Sequence, residues 1–151
     1  MNSYKRYRPG TFAPTGIAWS YDNRTAGFRV VGGGPSLRVE CRIPGADANP
    51  YLVYAALLSA GLDGIENRMS APEPVLMDPG DIEADERERK GIERLPTNLQ
   101  EATDALAADE VLIEAMGEVL SREYLLIKSA DWEHAKEQDV ESELRQFIYR
   151  Y

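Results

Sequence analysis

Four arginines and one glutamate in the first third of the chain have the side chains needed to bind anions and a cation together. Arg24, Arg29, Arg38 and Arg42 lie within twenty residues of one another, and Glu40 stands between the last two. Arginine presents a planar fork of donors that matches carboxylate and phosphate oxygens in pairs. A carboxylate between two guanidinium groups stays ionised, so Glu40 is a candidate ligand for a hard cation such as Mg²⁺. The cluster indicates a phosphate-binding site.

A strand is expected to position three of these charges. Residues 37–43 alternate between apolar and charged, which places Arg38, Glu40 and Arg42 on one face and the apolar side chains, Cys41 included, on a buried face. The alternative is a surface ladder of salt bridges, worth about 0–1 kcal/mol per pair. The spacing by itself leaves both explanations open.

Other residues whose side chains could take part in catalysis or binding have simpler structural explanations. Gly32–Gly34 has no following G-K-[ST] and is expected to form a hairpin turn. His134, the one histidine, lies on a predicted helix and is expected to be solvated. Trp19 is expected to be a core residue of a strand. The acidic run Asp81–Glu88 lacks the spacing of a calcium loop and is interpreted as solvated surface.

The elements that follow are mainly helical. Asn49 and Pro50 suit the cap and first position of a helix that is predicted to end at about Met69. This helix is apolar nearly all round, which is typical of a buried helix. Residues 70–97 are rich in proline and charge and are interpreted as a surface excursion.

The last third of the chain is predicted to form a helical tail. Thr97 and Gln100 are interpreted as a capping box, and Tyr124–Glu137 is predicted to be helical. A final amphipathic helix is predicted from the apolar positions Leu144, Phe147, Ile148 and Tyr151. We expect an α+β fold with antiparallel strands, a buried helix and a helical tail, in segments 1–69, 70–97 and 98–151.

Composition narrows the class of protein. The chain has 151 residues, a length that suits one domain or a large piece of one. With 17 basic and 26 acidic residues the net charge is -9, which disfavours nucleic acid or an anionic membrane as a partner. Residues 1–50 nevertheless carry +4. A single cysteine, and the lack of a signal or membrane-spanning pattern, favour a cytoplasmic location.

Ordered motifs over about the first 65 residues resemble the catalytic domain of the glutamine synthetase family. They have the family's order and spacing, and the remainder to Tyr151 resembles its variable C-terminal helices more loosely. The motifs are Asn2-Ser3-Tyr4-Lys5-Arg6, Pro9-Gly10, Ala13-Pro14, Ala18-Trp19-Ser20, Asn23-Arg24, Arg38-Val39-Glu40-Cys41-Arg42, Ala48-Asn49-Pro50-Tyr51-Leu52, Ala55-Ala56-Leu57-Leu58 and Ala60-Gly61-Leu62-Asp63-Gly64-Ile65.

The resemblance implies an ATP-dependent ligase that joins an amine to the side-chain carboxylate of glutamate through a γ-glutamyl phosphate. The implied partners are glutamate, ATP, ammonium or an organic amine, and other subunits in a ring-shaped homo-oligomer. The implied metal is Mg²⁺ or Mn²⁺, with at least two ions.

The resemblance also implies roles for individual residues. Arg6 and Arg42 would bind glutamate, and Glu40 would be a metal ligand. Arg24 and Arg29 would contact the nucleotide phosphates, and Arg24 and Arg42 would act in phosphoryl transfer. Arg38 is implied to lie near the nucleotide as well.

Two departures from the family pattern matter. Ammonia-using members carry a glutamate just before Ala-Pro, where this chain has Phe12, which cannot attract a cation by charge or take a proton. Phe12 is therefore predicted to line a pocket for a larger amine, as in the polyamine branch. Family chains are also about three times as long, so this chain is expected to be a C-terminal part without ligase activity of its own. The alternative is a non-catalytic remnant that binds nucleotide or assembles with full-length subunits.

Overall fold

A computed structural model describes residues 2–139, 141–142 and 145, and combines a small sheet with helices, which confirms the α+β fold class. The predicted final amphipathic helix lies outside the described residues. The strands are β1 (Trp19–Tyr21), β2 (Phe28–Val31) and β3 (Arg38–Cys41). The helices are α1 (Pro50–Glu66), α2 (Ala84–Arg89), α3 (Leu99–Ala108), α4 (Glu110–Met116) and α5 (Glu118–Lys136).

The three strands form one sheet in the order β1-β2-β3. Strands β2 and β3 are antiparallel as predicted, but β1 and β2 are parallel, so the expectation of antiparallel strands throughout is wrong. The chain leaves β1 through Asp22, whose φ of 47° turns the backbone, and residues 22–27 return it to the start of β2. Strands this short carry no sequence signal for their direction.

Glycines close the hairpin between β2 and β3, which confirms the predicted turn. Gly32 has a φ of 83°, and a Cβ added there would overlap the carbonyl oxygen of Ser36. Gly34 also has a positive φ, of 52°, and begins a short 3₁₀ turn, Gly34–Ser36. The hairpin therefore depends on glycine at its first position.

The described chain forms two compact units, and one of them contains residues 2–53 and 68–95. Its apolar cluster is Ala18, Val75, Ile82 and Ile92. Three of these four residues come from residues 70–97, so the interpretation of that segment as a surface excursion is wrong. The segment is polar on average, and isolated apolar residues supply its buried side chains.

The second unit contains residues 54–67 and the described residues from 96 onward, and in it α3, α4 and α5 pack against one another. Helix α3 is capped by Asn98, whose side-chain oxygen accepts from the Glu101 N–H at 2.9 Å. The Glu101 carboxylate accepts from the Thr97 N–H at 2.8 Å. The predicted pairing of Thr97 with Gln100 is therefore wrong by one residue.

Helix α1 begins at Pro50 as predicted, with the Asn49 side-chain oxygen accepting from the Tyr51 N–H at 2.9 Å. No residue of α1 is buried by the described part of the chain, so the expected buried helix is not realised there. Its exposed apolar side chains recur every three or four residues and therefore share one face. They are Tyr51, Tyr54, Leu58, Leu62 and Ile65.

Among the described helices, none has the length and apolar character that a membrane crossing requires.

Candidate active site

Glu40 on β3 lies between two arginines on one face of the sheet. The antiparallel register puts it directly opposite Arg29 on β2, whose Nη1 donates to Oε2 at 3.0 Å. Arg42 shares the face with Glu40 because it lies two residues further along, and its Nη1 donates to Oε1 at 2.8 Å. The Arg29 and Arg42 side chains are only 17% and 21% exposed, so both pairs are partly shielded from water.

Asp22 adds a second carboxylate, which the sequence reasoning missed. Its Oδ1 accepts from Nη2 of Arg29, so Arg29 is held between Asp22 and Glu40. The left-handed backbone of Asp22 follows β1 directly and brings this carboxylate beside β2. No spacing pattern in the sequence signals this contact, because it depends on the unexpected parallel pairing of β1 and β2.

The network shifts the pKa values of its members. Hydrogen bonds from Arg29 and then Arg42 hold the pKa of Glu40 below its ordinary value of 4.5, against an opposing effect of desolvation. The hydrogen bonds to Asp22 and Glu40 raise the pKa of Arg29. The network thus pairs two guanidinium groups with two carboxylates, so its formal charges balance.

Arg42 also ties the sheet to two loops. Its Nε donates to the carbonyl oxygen of Arg24 at 2.9 Å, and its Nη2 donates to that of Phe12 at 3.1 Å. Arginine has five N–H donors, and these contacts with the one to Glu40 account for three of them. As far as the described residues go, two donors are open to an anionic ligand.

Arg6 is anchored at the end of β3. Its Nη2 donates to the carbonyl oxygens of Arg42, Ile43 and Pro44 at 3.1, 2.5 and 3.2 Å. The guanidinium lies 5.2 Å from the ring centre of Tyr7, whose hydroxyl donates to the Ile43 carbonyl at 2.5 Å. Since Nη2 makes all of these Arg6 hydrogen bonds, Nε and Nη1 are open to a ligand within the part of the chain that the structure describes.

Apart from Arg6, the predicted site residues separate into three groups. The side chains of Arg29, Glu40 and Arg42 meet, and the loops that carry Arg24 and Phe12 are joined to them through backbone oxygens. The Phe12 side chain itself is 72% exposed. Arg38 stands apart from this network among the described residues. Its side chain is exposed and donates to the Ser36 carbonyl at 3.2 Å. The salt-bridge ladder considered for this strand is thus realised with Arg29 in place of Arg38.

A divalent cation does not fit the described residues as they stand. They contain no cluster of three or more histidine, cysteine, aspartate or glutamate residues able to hold a metal. Glu40, the predicted ligand, has one arginine on each carboxylate oxygen. Hard cations require several oxygen ligands, so a metal would need ligands beyond those that the described residues offer.

Comparison with known proteins defines the class to which this fold and site belong. A profile of the family described as glutamine synthetase, catalytic domain, matches residues 1–147. Glutamine synthetase from Methanocaldococcus jannaschii is 46% identical over 134 residues, which are 88% of this chain and 30% of that protein. Glutamine synthetase from Staphylococcus aureus is 41% identical over 152 aligned positions, covering all of this chain and 34% of that protein.

A solved structure agrees. The chain described as a GmaS/ADP complex, conformation 1, has a TM-score of 0.73 and 36% identity, and the match covers 91% of this chain and 30% of that one. This chain belongs to the glutamine synthetase family. It spans about a third of the length of the relatives that it matches.

Proposed function

We propose that this chain is the C-terminal part of an ATP-dependent ligase that joins an amine to the side-chain carboxylate of glutamate. The observation that carries the proposal is the partly shielded Arg29–Glu40–Arg42 network, in which the contacts of Arg42 within the described residues use three of its five donors. Family membership supports the ligase class. Nucleotide use is supported by a similar structure described as an ADP complex.

In the proposed reaction the γ-phosphoryl group of ATP passes to a glutamate carboxylate oxygen, and ADP leaves. The amine nitrogen then attacks the acyl carbon and loses a proton, the amide bond forms as the acyl C–O bond breaks, and inorganic phosphate leaves with the former carboxylate oxygen. Charge accumulates on the transferring phosphoryl oxygens, where preorganised donors are most effective. Arg24 and Arg42 would stabilise this charge, with Arg29 and Arg38 on the nucleotide.

The same proposal assigns the glutamate substrate to Arg6 and Arg42, since Arg6 is anchored directly at the end of β3. Each of the two arginines retains donors for a carboxylate. Glu40 keeps the two neighbouring arginines apart and oriented, and a metal would need further ligands besides it. The proposal also includes Mg²⁺ or Mn²⁺ as the cation, and assembly of the subunits in a ring-shaped homo-oligomer.

Phe12 is proposed to select the amine. Its side chain is largely exposed while its carbonyl oxygen is tied to Arg42, so the ring is presented from a loop fixed to the site. An aromatic ring stabilises the carbon chain of an organic amine and offers ammonium no charge. We expect a γ-glutamyl-polyamine type of activity for this reason.

A chimera tests the function without requiring the chain to act alone. In it, this chain replaces the matched stretch of Staphylococcus aureus glutamine synthetase, with which it aligns over its full length. We expect glutamate-dependent phosphate release from ATP. Failure of the well-folded chimera to turn over with either ammonium or putrescine would contradict the ligase proposal.

The amine is tested in the same chimera by F12E. A carboxylate at this position attracts ammonium and accepts a proton, so the ratio of kcat/KM for ammonium to that for putrescine should rise at least tenfold. F12L is the matched control, because it keeps an apolar side chain without a charge. An equal ratio in F12E and F12L would contradict the assigned role of Phe12.

A second candidate is a non-catalytic chain that binds nucleotide or assembles with full-length subunits. The lack of a metal cluster in the described residues favours it. Mixing the chain with full-length Staphylococcus aureus glutamine synthetase and sizing the product discriminates the two, since co-elution of an inactive chain supports assembly.

A further inference from the structure

The charged face of β3 is better shielded from water than its apolar face. The side chains of Arg42 and of Arg29, which lies opposite Glu40, are 21% and 17% exposed. Leu37 and Val39, on the other face, are 61% and 64% exposed. The expectation of a buried apolar face on this strand is therefore wrong within the described residues. Because shielding a charge costs free energy and shielding an apolar group does not, this arrangement favours a binding role for the charged face.

A ligand can reach Arg29 only through its two terminal nitrogens, because its Nε is buried within the described residues. Nη1 donates to Glu40 at 3.0 Å, and Nη2 donates to Oδ1 of Asp22. Each terminal nitrogen carries two N–H groups. An anion that binds Arg29 must therefore approach beside one of these two carboxylates.

The two carboxylates differ in exposure. The Glu40 side chain is 38% exposed and has an arginine on each oxygen. The Asp22 side chain is 79% exposed. Its hydrogen bond is nevertheless the largest cause of the raised pKa of Arg29, ahead of the one to Glu40. Asp22 is thus the close partner of Arg29 that also faces the solvent from which an anion would enter.

Backbone geometry fixes Asp22 in this place. Its N–H donates to the Val30 carbonyl at 3.0 Å, directly after the register pair of Tyr21 and Val30. Its φ of 47° lies in the left-handed region, which aspartate and asparagine adopt more readily than most residues with a side chain. The sheet itself therefore holds this carboxylate beside Arg29.

Formal charge shows what the Asp22 carboxylate changes. With it, two guanidinium groups pair with two carboxylates and the network is neutral. Without it, the same groups would carry one net positive charge. Net charge attracts any anion without regard to direction, whereas oriented N–H donors select the geometry of the oxygens that they bind. The exposed carboxylate therefore opposes the non-directional part of anion binding.

We propose that Asp22 is a specificity-determining residue that lowers the affinity of the site for phosphate groups. The inference rests on the proposed function, which assigns Arg29 to the nucleotide phosphates. Two products of that reaction, ADP and inorganic phosphate, are anions that must leave the site. Asp22 orients Arg29 through Nη2 and cancels its charge, so that phosphate is recognised by geometry and released readily.

The test measures binding of inorganic pyrophosphate by titration calorimetry, in low salt and without a metal ion, and requires no turnover. It uses the chimera with Staphylococcus aureus glutamine synthetase, which contains this whole chain. D22N keeps the size of the side chain, an acceptor oxygen and tolerance of the left-handed backbone, and it removes only the charge. We expect D22N to bind pyrophosphate at least about fivefold more tightly than the wild type. The gain should shrink as salt is added, because exposed charges are screened.

Two further variants make the result specific. D22G also accepts a positive φ and removes the carboxylate entirely, so it should tighten binding as D22N does. Asp85 is exposed on α2, outside the network, and D85N changes the net charge of the chain by the same amount as D22N. D85N should bind pyrophosphate within about twofold of the wild type. A general loss of structure weakens binding, so a gain in affinity separates the proposed role from a purely structural one.

The proposal is overturned if folded D22N or D22G binds pyrophosphate no more tightly than the wild type, or if D85N gains as much. R29Q shows whether the proposed function fails as well. R29Q that weakens binding while D22N has no effect would contradict the role of Asp22 alone. R29Q with unchanged affinity, or a folded chimera that does not bind pyrophosphate, would contradict both this role and the assignment of Arg29 to phosphate.

Discussion

Glu40 binds Arg29 and Arg42 through one carboxylate oxygen each, and this arrangement has two effects. It keeps two like charges at a fixed separation on the sheet face, and it fixes the orientation of both guanidinium groups. Asp22 completes the arrangement from the far side of Arg29. Because the four charges balance, the network can be partly shielded without a large penalty for uncompensated charge.

The pH dependence of stability should report on this carboxylate. The pKa of Glu40 is lowered in the folded chain relative to 4.5, so its contribution is fully present above pH 4.5. The contribution is lost as the pH falls through the lowered pKa, because the protonated acid no longer pairs with the arginines. Urea unfolding of the wild type and E40Q should therefore differ at pH 7 and converge in acid.

Glu73 is an exposed carboxylate outside the network and provides the control. The difference in unfolding free energy between wild type and E73Q should stay small at all pH values. A wild-type advantage over E40Q that persists unchanged to pH 2 would contradict the pairing.

Sequence reasoning recovered part of this site. Alternation along β3 correctly placed Glu40 and Arg42 on one face, because a period of two follows from strand geometry alone. It could not find Asp22 or the pairing of Glu40 with Arg29, since both depend on which strands become neighbours. The roles carried over from the family resemblance remain predictions.

At the scale of elements, the hairpin that joins β2 to β3 depends on one glycine. Gly32→Ala forces a side chain into a backbone with φ of 83° and into the Ser36 carbonyl. We expect a loss of about 1–3 kcal/mol in unfolding free energy. Gly33 is the matched control, with extended backbone and open space where a Cβ would be added, so Gly33→Ala should cost less than about 0.5 kcal/mol. Equal losses in thermal or urea unfolding would contradict this account of the turn.

The cap of α3 gives a second test at this scale. Asn98→Ala removes the acceptor for the Glu101 N–H and should cost about 1 kcal/mol. Asn67→Ala loses only an exposed side-chain hydrogen bond to Asp63 and is the control. Urea unfolding followed by helical circular dichroism measures both. A smaller loss of unfolding free energy for Asn98→Ala than for Asn67→Ala would contradict the assignment of Asn98 as the cap of α3.

The elements also show where local pattern stops being informative. Asn49 and Pro50 located the start of α1 because capping chemistry is local. The cap of α3 was ambiguous, since Thr97 and Asn98 are both good caps and each has a suitable partner three residues later. The buried role of residues 70–97 was missed because it comes from single apolar residues, such as Ile82 and Ile92, without a regular period.

On the scale of the whole molecule, the chain spans about a third of the length of the relatives that it matches. Helix α1 and the β3 edge leave apolar groups exposed, and Glu40 has no acidic cluster around it among the described residues. The apolar composition of α1 indicated that the helix needs more cover than this chain gives, and among the described residues none of its side chains is buried.

We expect the chain by itself to lack ligase activity, because it spans only about a third of the length of the relatives that it matches. Glutamate-dependent hydrolysis of ATP, measured with ammonium and with putrescine, should not exceed the blank. Turnover by the purified chain alone with either amine would contradict this expectation.

The most direct measurement of the central claim compares R42K with R122K in the Staphylococcus aureus chimera. Arg42 bridges Glu40 and two loops by directional donors that lysine cannot reproduce, whereas Arg122 is exposed on α5 and pairs with the adjacent Glu123. We predict that R42K lowers kcat/KM for glutamate-dependent phosphate release at least a hundredfold, while R122K changes it less than twofold. Equal activity of the two variants in a folded chimera would contradict the claim that this arginine network forms part of the active site.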